Sequence, residues 1–274
     1  MTIKEQNRYK KDNVSIVMPT YNYGPFIDEA IASVLNQAYK NFELIIVDDG
    51  STDNTEEVLK KYTKNKQIKL YKNQENKGVC YSKIKGANLA KGEYLMFMDS
   101  DDILDKKYLI TCIDAFKKKP NIDIVYTSMK LFGDSNIIQK STTFSPGLLF
   151  LYNYIGGASV MKREAYDISG GIDISMEDTP EDWDLWLSMA ETGSRGFYID
   201  NPLHLYRKHK GSRDNVTHNN NRKRWKKIQK KHFRSYLKYF PKNIIEYSLP
   251  YVKKGDYRML FRKGRNFIVR FLVR

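Results

Sequence analysis

Short apolar runs alternate with longer stretches whose apolar residues recur every three or four positions, and this alternation dominates the first hundred residues. Residues 14–18 are apolar and β-rich, are closed by Pro19, and predict a buried strand. Tyr21-Asn22-Tyr23-Gly24-Pro25 follows as a loop. Ile27, Ala30, Ile31, Val34 and Leu35 then fall on one face of a helix over 26–36. A second strand over 42–47 runs into the turn formers Asp48-Asp49-Gly50-Ser51, and Thr52 or Asp53 suits the cap of a helix towards Tyr62. Residues 68–71 predict a third strand, 79–90 a helix ended by Lys91-Gly92, and 94–98 a fourth strand. The second half is less regular: a strand over 122–126, a close-packed turn at Gly156-Gly157-Ala158 and a helix over 183–191.

Strands alternating with helices predict an α/β fold with a mostly parallel central sheet flanked by helices. In such sheets ligands bind beyond the carboxyl ends of the strands. Pro19-Thr20-Tyr21-Asn22, Asp48-Asp49-Gly50-Ser51 and Asp99-Ser100-Asp101-Asp102 each follow a predicted strand. Parallel strands would bring all three to one edge.

Composition changes this picture in two ways. With 41% hydrophobic and 13% aromatic residues the chain can build a sizeable core, and Cys80 and Cys112 are too few for a disulfide framework or a four-cysteine metal site. The first residues are polar, without the apolar segment of a signal peptide, and no run of 18 apolar residues occurs. The expected location is cytoplasmic or on the inner face of a membrane. The charge of +15 is concentrated at one end: residues 219–274 hold 18 Lys/Arg against Glu246 and Asp256, while 1–218 are close to neutral. The expected organisation is a catalytic domain over 1–218 and a basic, helical appendage over 219–274.

Four stretches carry candidate chemistry. The three carboxylates of Asp99-Ser100-Asp101-Asp102 repel one another unless a cation offsets them, and hard cations such as Mg²⁺ or Mn²⁺ take one or two carboxylates plus substrate phosphates. Their place directly after an apolar strand favours a site over a solvated loop. A carboxylate in Asp48-Asp49-Gly50-Ser51 can accept the imide N–H of a uracil, and Tyr21 can stack on a base; each stretch taken alone also reads as a turn or as surface packing. Glu181-Asp182 opens a helix, where an acid is either a general base or a dipole-favourable residue. Tyr206-Arg207-Lys208-His209 offers a phosphate clamp and a metal ligand, or simply begins the basic tail.

Together, Val17-Met18-Pro19-Thr20-Tyr21-Asn22, Val47-Asp48-Asp49-Gly50-Ser51-Thr52-Asp53, Gly92-Glu93-Tyr94 with Asp99-Ser100-Asp101-Asp102, and Glu181-Asp182-Trp183-Asp184 resemble the inverting family 2 glycosyltransferases of GT-A (Rossmann-like) fold, over about residues 13–215. The resemblance implies a UDP-sugar donor, an acceptor hydroxyl on a carbohydrate or a lipid-linked carrier, and Mn²⁺ or Mg²⁺ as cofactor, in cell-surface or cell-wall polysaccharide synthesis. It implies that Pro19, Thr20, Tyr21, Asn22 and Asp49 line the uridine pocket. Asp99 would lie near the ribose and the metal, Ser100 would be among the nucleotide-sugar contacts, Asp101 would be the principal metal ligand, with Asp99 and His209 beside it, and Gly157 would wall the sugar. Arg207 would reach the diphosphate. Asp182 would be the base and Glu181 its neighbour, with Asp178 and Asp184 as rival bases. Members often carry Ala-Arg-Asn where this chain has Ser82-Lys83-Ile84; Lys83 keeps the charge, but Ile84 cannot donate to the nucleotide.

The appendage mixes cations with Trp225, Phe233, Tyr236, Tyr239, Phe240, Phe261, Phe267, Ile268, Phe271 and Leu272. Such a segment suits an anionic membrane surface. An anionic polymer, a homo-oligomer contact, or a solvated bundle packed on the body are the alternatives. A nucleic-acid-binding protein is the rival of another class, since the cations could neutralise phosphates. It leaves residues 1–218 without a role and the tail without a docking motif, so no nucleic acid is expected. A non-catalytic partner subunit is a third reading, opposed by the intact Asp101 and Asp182.

Overall fold

The computed structural model describes residues 8–210 and 221–239. The first half is β1 (Lys10–Thr20), α1 (Gly24–Leu35), β2 (Phe42–Asp48), α2 (Thr55–Lys60), β3 (Ile68–Lys72), α3 (Val79–Leu89) and β4 (Gly92–Phe97). Then come β5 (Ile103–Leu104), α4 (Tyr108–Lys118), β6 (Ile124–Gly133), β7 (Ile138–Gln139), α5 (Pro146–Leu149), β8 (Val160–Lys162) and α6 (Arg163–Ile168). A 3-10 turn, Ile174–Met176, leads to α7 (Glu181–Glu191), β9 (Gly196–Lys208) and α8 (Asn221–Lys231). A turn at His232 continues into further helix over 233–239.

One sheet has the order β3-β2-β1-β4-β8-β6-β9-β5, with β7 beside β6. β3, β2, β1 and β4 are parallel neighbours. β8 runs against both β4 and β6, so β6 points the same way as β4, and β9 runs parallel to β6. Only β5, β7 and β8 oppose that direction, and the mostly parallel sheet is present as expected.

Both faces of the sheet are covered, which is why its inner strands read as continuous apolar runs. Val14, Ile16 and Met18 of β1 join Leu44 and Ile46 of β2 under α1 and α4. Val17, Ile45, Val47, Leu95 and Phe97 point the other way, towards α3, α6 and α7. Fully burying one such aliphatic side chain contributes about 1.5–3 kcal/mol. On the second face α3 lies close on β1: a Cβ at Gly86 would sit 2.3 Å from Val17 Cγ1.

The structure also holds elements outside the predicted set. α4 buries Leu109, Cys112, Ile113 and Phe116 at helical spacing. β9 is long because its turn formers are bulged out: between Thr127 and Met129 of β6 the single residue Ser128 faces four on β9, residues 200–203, and Asp200-Asn201-Pro202 fall in that excess. Cys80 and Cys112 are buried free thiols. Among the described residues no helix is long and apolar enough to cross a membrane.

α8 and the helix after it pack on the body. Trp225 meets the Trp183 ring edge-on at 4.4 Å between centroids, and Ile228 and Tyr236 are buried in the same core as α7. His232 Nε2 lies 2.9 Å from Asp184 Oδ1 and its Nδ1 3.0 Å from Glu191, while Lys231 bridges Asp184 and Asp173. The cations and aromatics from Phe240 onward lie outside the described residues.

Candidate active site

β1, β2 and β4 end side by side, and the loops leaving their carboxyl ends line one cleft of about 820 Å³. Pro19 and Thr20 end β1, and Tyr21 is exposed at the wall. Asn22 takes a left-handed backbone, φ 57°, and braces this loop to the next: its Oδ1 accepts from the Thr52 backbone N–H at 2.7 Å, and its own N–H donates to Ser51 Oγ at 2.9 Å. Asp48 closes the β2 turn by accepting from the Ser51 N–H.

Asp49 is buried and already well engaged. Its Oδ1 accepts from Asn73 Nδ2 (2.7 Å) and the Lys77 N–H (3.0 Å), and its Oδ2 accepts from the Gly78 N–H (2.8 Å). A carboxylate has about four acceptor positions, so room for about one more donor remains. Nearby, the Thr20 hydroxyl is buried with no protein partner, an orphan that an incoming polar group would satisfy.

The start of α3 is held from the other side by Glu177. Its Oε1 accepts from the Val79 N–H (2.8 Å) and its Oε2 from the Cys80 N–H (2.7 Å), capping the first turn of a helix nearly a hundred residues away in sequence. Gly78, at φ 93°, has to be glycine here, since a Cβ would meet the Glu177 carboxylate at 2.5 Å.

On the β4 side, the acidic loop divides its work. Asp102 is buried and structural: Oδ2 lies 2.6 Å from His204 Nε2, and Oδ1 accepts from the Arg207 N–H, tying the loop to β9. Asp101 Oδ2 lies 3.0 Å from His209 Nε2. Burial, with Asp102 and Asp99 beside it, pushes the Asp101 carboxyl up to about 8, which marks a surplus of negative charge that a cation would relieve. Among the described residues no three His, Cys, Asp or Glu side chains are arranged around a metal position. The Asp101–His209 pair still suits a hard cation whose other ligands are phosphate and water.

The opposite wall is the first turn of α7. Glu181 is buried against Lys83 of α3, Oε1 to Nζ 2.6 Å. Asp182 keeps partial access to the cleft. Its Oδ1 accepts from the Trp183 N–H and its Oδ2 from Asn153 Nδ2 at 3.2 Å. Burial pushes its pKa up to about 6; Glu181 adds to the shift and Lys83 opposes it. A side chain grown from Gly157 would point at Asp182 Oδ2, 3.8 Å from its first atom, so glycine keeps the space before this carboxylate open.

Thus Pro19, Thr20, Tyr21, Asn22, Asp49, Lys83, Asp99, Ser100, Asp101, Gly157, Glu181 and Asp182 line one cleft. Arg207 and His209 are not on that lining. Residues of β9 alternate, so His204, Tyr206 and Lys208 face the cleft while Arg207 faces away. The Arg207 guanidinium donates to the Asp101 carbonyl (2.8 Å), pairs with Glu29 and packs over the Phe132 ring, bracing the acidic loop from behind. Asp184, a rival base, is fully buried and held by Lys231 and His232; Asp178 pairs with Lys227. Glu177, Asn153 and Arg224 also line the cleft and lie outside the sequence motifs, and Lys208 lines it in the stretch where the motif pointed to Arg207 and His209. Period-two alternation along 204–208 is a signal for Lys208; no local pattern points to Glu177, Asn153 or Arg224.

The profile described as glycosyl transferase family 2 matches residues 15–175. EpsE of Bacillus subtilis (strain 168), provisionally named a glycosyltransferase, is 31% identical over 71% of this chain and 72% of its own. TuaG of the same organism, provisionally named a teichuronic acid biosynthesis glycosyltransferase, is 30% identical over 72% and 79%. The aligned part is only 50% of the glycosyltransferase GlyG of Streptococcus pneumoniae, at 36% identity over 56% of this chain. Among solved structures, Staphylococcus aureus TarS 1-349 in complex with UDP-GlcNAc superposes with TM-score 0.60 at 22% identity, over 73% of this chain and 60% of that one. The mannosyltransferase PcManGT of Pyrobaculum calidifontis, in complex with GDP-Man and Mn²⁺, gives TM-score 0.56 at 18% identity over 73% and 57%. These likenesses show the GT-A fold.

Proposed function

The chain belongs to glycosyl transferase family 2, and from that premise we propose that it transfers a hexosyl or N-acetylhexosaminyl group from a UDP-sugar to an acceptor hydroxyl, with inversion at the anomeric carbon. The observation that carries this reading is the meeting of two kinds of group in one cleft: the strand-end loops with Asp49 and Thr20, and a largely buried carboxylate, Asp182, on the facing wall. Uracil would take the remaining acceptor position of Asp49 and lie by Tyr21. The diphosphate would lie along Asp99, Ser100 and Asp101, and the sugar beside Gly157.

Asp182 takes the proton of the acceptor hydroxyl as that oxygen bonds to the anomeric carbon. The bond from that carbon to the diphosphate oxygen breaks, and UDP leaves with its electron pair. A carboxyl titrating near 6 is ionised at neutral pH yet basic enough to accept a proton in the transition state. Asp101 and His209, with Asp99 near, would hold Mn²⁺ or Mg²⁺, which when bound neutralises charge on the leaving diphosphate. PcManGT carries Mn²⁺ with its nucleotide-sugar, which supports metal use here. The UDP-GlcNAc complex of TarS supports a UDP-sugar donor, and the teichuronic acid role in TuaG's name supports an acceptor in a surface polysaccharide. The basic, aromatic C-terminal region supports a peripheral place on the inner face of a membrane.

The test is release of UDP from UDP-sugars in the presence of metal by wild type and Asp182→Asn. Turnover is expected in the wild type, with a loss of about 10²–10⁴ in the variant, whose circular dichroism stays unchanged. Near-wild-type turnover in Asp182→Asn sinks the base assignment.

A further inference from the structure

The helical course that begins with α8 has two faces of different character. Trp225, Ile228, His232 and Tyr236 recur three to four residues apart and meet the body, two of them in its core and His232 on α7. The opposite side is basic and exposed: Lys223, Lys226, Lys230, Arg234 and Lys238 all face solvent. No acid interrupts residues 219–245. Between these cations, Phe233 and Leu237 sit one turn apart and are 54% and 48% exposed. An aromatic and an aliphatic side chain left in water side by side, inside a ring of cations, have no structural reason in the body's own packing.

We propose that this face docks on an anionic lipid bilayer, with Phe233 and Leu237 entering the interface and Lys230, Arg234 and Lys238 meeting the headgroup charge. Charge selects the partner's sign, and the apolar pair selects lipid over a polymer: a polyanion would use the cations but gain nothing from Phe233 and Leu237. The opposite face is fixed to α7, so docking orients the whole catalytic unit. Arg224, roughly two and a half helical turns before Phe233 and so on the opposite face of the helix, lines the cleft. Docking therefore fixes the orientation of the cleft relative to a membrane that would carry the acceptor. This last step rests on the transferase reading; the docking does not.

The experiment is co-sedimentation of the full chain with vesicles of phosphatidylcholine alone and of phosphatidylcholine with phosphatidylglycerol at about two to one. Binding is expected to the anionic vesicles only, and to weaken with salt. Lys230→Gln, Arg234→Gln and Lys238→Gln are each expected to weaken it about fivefold. Phe233→Ser with Leu237→Ser is expected to weaken it about tenfold or more, with the thermal midpoint and UDP affinity unchanged. Absence of binding to anionic vesicles overturns the proposal. So does full binding by the Phe233→Ser/Leu237→Ser protein, which would show that charge alone, without the apolar pair, carries the contact. Vesicle binding together with failure to bind any UDP-sugar would leave the docking standing and remove the transferase reading alone.

Discussion

At the scale of single residues, the proposed chemistry rests on Asp182 and its neighbours. Its carboxyl titrates near 6 because burial and Glu181 favour the neutral form while the Lys83 ammonium partly offsets them. A base must be ionised, so kcat/KM should rise with pH, about tenfold per unit, up to about 6 and level off above it. Lys83→Met removes the offsetting cation. The acidic limb of the pH profile should then move to higher pH, whereas a merely structural Lys83 would change the height of the profile and leave its midpoint in place. The residue types of the site were legible in the sequence, because strand-end motifs carry their position with them. What each atom does was not. Asp49 turned out to anchor the loop over residues 73–78 as well as to face the cleft, and Arg207 to brace the acidic loop while Lys208 faces inward. Those assignments depend on strand phase and on contacts with Asn73 and Glu29, which no local pattern encodes.

Two helices, α3 and α7, carry the two walls of the cleft, and their junction decides its geometry. The buried Lys83–Glu181 pair and the Glu177 cap both span it. Breaking a buried ion pair from one side leaves an uncompensated charge, so Lys83→Met alone should cost about 3–5 kcal/mol in urea unfolding. Lys83→Met with Glu181→Met should recover most of that loss, and a double variant no more stable than the single would contradict the pairing. α3 is also pinned to β1 at Gly86. A Gly86→Val side chain would strike Val17 in the core and should destabilise by about 1–3 kcal/mol, read as a lowered thermal midpoint. The elements of the first half could be predicted because strand and helix periods alternate cleanly there. β9 could not: its Asp200-Asn201-Pro202 bulge places turn formers inside one strand. β5, β7 and β8 are two or three residues long, too short to show a period.

For the whole molecule, the division into a neutral body and a basic appendage follows charge, but packing crosses it. Trp225, Ile228 and Tyr236 extend the core of the body, and a network of the buried Asp184 and His232 with the partly exposed Glu191 and Lys231 fastens this helical segment to α7. Burial disfavours a charged His232, but Asp184 and Glu191 outweigh it and raise its pKa above the ordinary value, with Lys231 the cation beside them. A raised folded pKa means that the stabilisation is complete below the unfolded value, about 6.5, and is lost as pH rises through the folded one. Hydrogen exchange over residues 221–239 should therefore quicken with pH beyond the intrinsic trend, and His232→Leu should abolish that excess. In the sequence this packing was one of the alternatives to membrane attachment, because the segment reads first as a polycation; which residues form the buried face shows only once Asp184 and Trp183 are placed beneath it.

The central claim is that the cleft between the β1, β2 and β4 ends and α7 binds a nucleotide-sugar with a divalent metal. The most direct measurement is the thermal midpoint of the full chain with UDP and UDP-sugars, with Mn²⁺ or Mg²⁺ and with chelator. Saturating ligand at about 100 times Kd stabilises by about 2.7 kcal/mol, so UDP plus metal should raise the midpoint by several degrees, and either alone by less. No shift with UDP or any UDP-sugar in the presence of metal would contradict the claim.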